Sequence, residues 1–97
     1  MYVILTSKPG QFHTELNDAL QPVEAYDYVF YGRKRARYVI ATLSGDTKIR
    51  IVEESASPTV NLVPSKFLPH FDTLELARAE LQQLAHFGSA DIALVKC

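Results

Sequence analysis

Residues 38–53 read Tyr38-Val39-Ile40-Ala41-Thr42-Leu43, then Ser44-Gly45-Asp46-Thr47, then Lys48-Ile49-Arg50-Ile51-Val52-Glu53. Both outer runs are rich in β-branched residues, which suit a pleated and half-buried surface. The second run alternates polar and apolar positions, so one of its faces rests on a core and the other meets water. Ser44-Gly45-Asp46 between them predicts a tight hairpin connection. This stretch decides the class: an antiparallel sheet is the organising element.

The same pattern extends both ways. Tyr26, Tyr28 and Phe30 alternate with Asp27, Val29 and Tyr31, and Thr59-Val60-Asn61-Leu62-Val63 follows the polar loop at 54–58. Short strands joined by short polar turns predict an antiparallel meander over residues 23–63. At the N-terminus, Tyr2-Val3-Ile4-Leu5-Thr6 is apolar on both faces, as expected of a strand covered on both sides or lying at a subunit contact. It stops at the turn residues Ser7-Lys8-Pro9-Gly10. Phe12, Leu16 and Leu20 recur at i, i+4, i+8 and predict a short helix over 11–20, ending before Pro22.

Pro64 and Pro69 bracket an irregular segment. Asp72-Thr73-Leu74-Glu75 predicts an N-cap at Asp72 with a reciprocal carboxylate at Glu75. Leu74, Ala77, Leu81, Leu84 and Ala85 then share one helical face, and Gly88 occupies a C-cap position beside His86. These features predict a long helix over 72–87, and Ala90–Val95 reads as a closing strand. The expected fold is α+β: a mostly antiparallel sheet of about five or six strands, with the long helix and the short helix packed on it.

Ninety-seven residues, 47% hydrophobic and 22% charged, suit a single domain spanning 1–97. Ten basic and eleven acidic side chains give a formal net charge of -1, so no global field draws the chain to nucleic acid or anionic membrane. The one cysteine, Cys97, cannot form an internal disulfide, and no apolar run approaches the ~20 residues of a membrane helix. A cytoplasmic protein without a membrane anchor is expected.

The chemistry-bearing residues are dispersed. His13, His70 and His86 lack metal-pair spacing, Glu53 and Glu54 point to opposite faces if they lie on a strand, and no glycine-rich loop precedes a helix. Neither a catalytic group, a metal nor a cofactor is expected. His13, Tyr28 and His70, with Arg37, are the polar groups for a candidate ligand pocket between sheet and helix or across a dimer.

One local signal stands out. Tyr31-Gly32-Arg33-Lys34-Arg35-Ala36-Arg37-Tyr38 places four cations within five residues, flanked by tyrosines, at an expected hairpin tip. Tyr31, Arg33, Lys34, Arg35, Arg37 and Tyr38 could dock an acidic protein partner through charge-assisted bonds. They could also contact phosphates and stack bases, or simply pair with Glu24, Asp27, Glu53 or Glu54 across strands. The expectation is a non-catalytic accessory or regulatory protein acting through protein–protein contacts. A small-molecule binder or small enzyme, and a weak nucleic-acid binder, are the alternatives. Five tyrosines, and a second sheet face carrying Val29, Tyr31, Val39 and Ala41, suggest a homodimer.

Overall fold

A computed structural model describes the backbone of residues 1–85 and 92–97 and the side chains of 1–84 and 94–97. Among the described residues eight strands and one α-helix follow in order: β1 (Tyr2–Ser7), β2 (Phe12–Thr14), β3 (Leu20–Phe30), β4 (Arg33–Leu43), β5 (Lys48–Glu53), β6 (Val60–Pro64), β7 (His70–Phe71), α1 (Leu74–Ala85) and β8 (Ile92–Lys96). They form two sheets, one ordered β7-β1-β4-β3-β8 and the other β2-β5-β6. Every strand pairing is antiparallel. The α+β class with mostly antiparallel pairing is therefore observed.

The larger sheet separates two cores. On one face Val3, Leu5, Leu20, Ala41 and Leu43 pack with Ile49 of the smaller sheet. On the other, Ile40 packs with Ala77 and Leu81 of the helix, and Tyr2, Ile4, Tyr26 and Tyr38 join them. Strand periodicity produces this division, because Ile40 and Ala41 are neighbours that point opposite ways. It also explains the two-sided apolar character of β1, whose Val3 and Leu5 face one core and Tyr2 and Ile4 the other.

Three expectations are corrected. The short helix over 11–20 does not form: Phe12–Thr14 is a strand on β5, and β3 begins at Leu20. The side chain of Asn17 accepts from Ala19 N at 2.9 Å and donates to the Lys48 carbonyl at 3.1 Å, which holds a turn where a helix would need continuous backbone bonds. The i, i+4, i+8 spacing also fits a period of two, and Leu20 is buried as a strand residue. Second, Ser44-Gly45-Asp46 is no hairpin, since β4 pairs with β1 and β3 while β5 pairs with β2 and β6; the chain changes sheets there. The meander over 23–63 is thus two hairpins in two sheets, and eight strands replace five or six. Third, Thr73 and not Asp72 caps α1, its Oγ1 accepting from Leu76 N at 3.2 Å, so the helix begins at Leu74. His86, Gly88 and the end expected at residue 87 lie outside the described residues.

The second-face residue Ala41 is covered by the chain's own smaller sheet. The half of that face formed by β3 and β8 carries Val23 and Val95, both exposed.

Candidate functional site

The β3–β4 hairpin carries most of the residues singled out by sequence. Its turn is Phe30-Tyr31-Gly32-Arg33, with Tyr31 at φ 50° and Gly32 at φ 74°. Positive φ at both central residues is the type I′ geometry that matches the strand twist. Glycine meets that demand freely, whereas a bulky side chain in the left-handed region is strained. Tyr31 is also 62% exposed, and its ring meets that of Phe30 edge to face, with centroids 4.4 Å apart. Hence the tip presents a strained, open aromatic ring.

The basic run begins at Arg33, the last position of the turn, and continues along β4 through Lys34, Arg35 and Arg37. Strict alternation would put Arg33, Arg35 and Arg37 on one face. The pairing breaks instead: Tyr28 opposes Ala36 and Val29 opposes Lys34, which leaves Arg35 as the extra residue of a bulge. The bulge sorts the cations into two groups.

Lys34 and Arg37 form the first group, and both grip Asp27. Lys34 Nζ lies 3.2 Å from Asp27 Oδ1, and Arg37 Nε donates to the same oxygen at 3.1 Å. Partial burial would raise the Asp27 pKa, but the hydrogen bonds from Arg37 and Lys34 outweigh it and hold the carboxyl below its ordinary value. This is the cross-strand neutralisation that the sequence offered as one reading of the run. These two cations also line an open cleft of about 430 Å³ whose floor is Leu5 and Val39 and whose wall includes Phe12 and Leu16. His13 lines it too, with Nδ1 3.3 Å from Glu54 Oε1 and Nε2 3.9 Å from Glu15 Oε2.

Arg33 and Arg35 form the second group. Both are exposed, and neither has an ion pair among the described residues. Arg35 lines a separate pocket of about 350 Å³ with Lys8, Gln11, Tyr28, Tyr38 and Leu84. The rings of Tyr28 and Tyr38 meet edge to face there, with centroids 6.2 Å apart. Burial, then the proximity of Tyr28, raises the Tyr38 pKa and keeps its hydroxyl protonated.

The candidate ligand set His13, Tyr28 and His70 is therefore not one site. His13 shares the inter-sheet cleft with Arg37, Tyr28 lines the other pocket, and His70 sits on β7 at a sheet edge. There its Nε2 donates to the Ser65 carbonyl at 3.0 Å, a structural role. Among the described residues no group of three or more His, Cys, Asp or Glu is placed to hold a metal, and no helix is long and apolar enough to cross a membrane.

Sequence reasoning missed Lys8 and Arg78, and it offered Glu24 to the basic run, whereas Glu24 pairs with Arg78 and Lys96. Lys8 looked like turn punctuation, and only folding brings it beside Arg35. Glu24 and Arg78 are 54 positions apart in the chain and carry no motif. The chain matches no family model, no curated protein and no solved structure.

Proposed function

We propose that this chain is a non-catalytic accessory or regulatory protein of the cytoplasm that binds a protein partner bearing an acidic segment. The docking strip is Tyr31, Arg33 and Arg35. The observation that carries this reading is Tyr31: an exposed aromatic residue held at positive φ, where asparagine or glycine would cost less. Strain retained on an exposed side chain is accounted for by what that side chain contacts. Beside it, Arg33 and Arg35 offer unspent charge, while Lys34 and Arg37 are committed to Asp27. Tyrosine and arginine are the residues that most often anchor interfaces.

The pairing of Lys34 and Arg37 with Asp27 also argues against a nucleic-acid role, because it removes two of the four cations from a continuous phosphate-tracking stripe. The homodimer remains a companion proposal, with the open β3–β8 half of the larger sheet, where Val23 and Val95 are exposed, as its contact.

The test compares two double variants in capturing a partner from the native cytoplasm, followed by binding to that partner after purification. Arg33→Gln with Arg35→Gln is expected to lose binding, and Lys34→Gln with Arg37→Gln to keep it. Equal losses from both would contradict the division of roles. A captured species that proves to be RNA or DNA, with affinity falling steeply as salt rises, would replace the protein partner with nucleic acid.

A specific observation supports a second reading. The inter-sheet cleft combines an apolar floor with Lys34, Arg37, His13 and Glu54 at its margins, which suits a small amphipathic molecule. Saturable binding of such a molecule that survives Arg33→Gln/Arg35→Gln would favour this reading.

A further inference from the structure

The pocket on the helix side of β4 has a charge balance unlike the rest of the hairpin. Lys8 and Arg35 both line it, and among the described residues no carboxylate lines it and neither cation has an ion pair. The inter-sheet cleft, by contrast, includes Glu54 and places both of its cations on Asp27. Gln11 adds amide donors, and Tyr28 and Tyr38 add phenolic hydroxyls. Three independent features of the fold converge here: the β1–β2 turn delivers Lys8, the bulge turns Arg35 out of the row of Arg37, and the edge-to-face tyrosine pair backs the space.

We propose that this pocket binds a phosphoryl dianion, such as the phosphate group of a monoester. Two unspent cations match two negative charges, whereas a carboxylate would satisfy one. Arginine and lysine beside hydroxyl and amide donors supply charge-assisted bonds to several oxygens of one tetrahedral group. The roughly 350 Å³ of space accommodates the group with a modest organic substituent. The pocket shares Arg35 with the docking strip, but Lys8 belongs only to the pocket and Tyr31 only to the strip.

The experiment is a titration of the full chain with inorganic phosphate, phenyl phosphate and acetate at constant ionic strength, followed by amide and side-chain resonances. Both phosphates should shift signals of Tyr28, Arg35 and Tyr38 saturably, and acetate should not. Tighter binding of phenyl phosphate would identify an ester as the source, and equal binding a free phosphate. Lys8→Gln and Arg35→Gln should each weaken phosphate binding about tenfold, the loss expected on removing one charged hydrogen-bond donor. Lys8→Gln should leave partner capture intact, and Tyr31→Asn should leave phosphate binding intact, so the two readings can fail separately. Lys8 and Arg35 are exposed, so an unchanged thermal midpoint serves as the folding control. Acetate acting like phosphate, or wild-type affinity in both charge variants, overturns the proposal.

Discussion

Arg78 of the helix grips Glu24 of β3 with a two-pronged bond, Nε to Oε1 at 2.8 Å and Nη2 to Oε2 at 2.7 Å. Lys96 of β8 reaches the same carboxylate, Nζ to Oε2 at 2.9 Å, and the Tyr26 hydroxyl donates to Oε1 at 3.0 Å. Only 6% of the Glu24 side chain is exposed, so a nearly buried charge is met by four donors. One residue thereby ties the helix, a central strand and the edge strand β8 together. Bidentate geometry sets it apart from the surface ion pairs of this chain, which contribute little.

Removing Arg78 leaves that carboxylate with poorer compensation in a low-dielectric site. Arg78→Ala should destabilise the fold by about 1–3 kcal/mol, the cost of lost hydrogen bonds to a buried charged group. Urea denaturation measures it as a lower midpoint with an unchanged slope.

Acid should act through the same carboxylate. Hydrogen bonds from Arg78 and then Lys96 hold the Glu24 pKa far below its ordinary 4.5, against the upward push of burial. The unfolded chain therefore takes up this proton near pH 4.5 while the folded chain resists it, and unfolding binds protons as the pH falls. The stabilisation is complete above the unfolded value and declines as acidity increases toward the folded one. Glu24→Gln should flatten this decline between pH 5 and 2, measured as thermal midpoint against pH.

The two cores should respond independently. Leu81 and Ile49 are both almost fully buried, but in different clusters on opposite faces of the larger sheet. Leu81→Ala should cost about 2–5 kcal/mol and Ile49→Val about 0.5–1.5 kcal/mol. The double variant should show the sum to within ~0.5 kcal/mol, as sites without shared partners do. A larger discrepancy in a double-mutant cycle would reveal coupling through the sheet.

The strained turn gives an opposite expectation. Tyr31→Asn relieves a bulky residue from the left-handed region and should stabilise the fold by about 0.5–1 kcal/mol while weakening partner binding. Thermal unfolding reads the first effect and the binding titration the second. Stabilisation accompanied by intact binding would mean that Tyr31 is kept for neither purpose.

Much of this fold was legible where period and burial agreed. The two-sided apolar run at 2–6 became a strand between two cores, and Leu74, Ala77 and Leu81 became the buried face of α1. Reading failed where a side chain overruled the pattern locally, as at Asn17, or where connectivity was assumed from a turn signal, as at Ser44-Gly45-Asp46. The basic run was legible as a composition but not as a surface. A single bulge at Arg35 decides which cations meet Asp27 and which remain unspent, and nothing in residues 31–38 announces it.

The proposed contact surface for a protein partner, Tyr31 with Arg33 and Arg35, is tested by hydrogen exchange on the purified complex. Protection confined to residues 30–36 and the strand ends around them is the predicted outcome. Unchanged exchange there, with protection appearing instead around Leu5, Phe12 and Val39, would contradict it and assign binding to the cleft between the sheets.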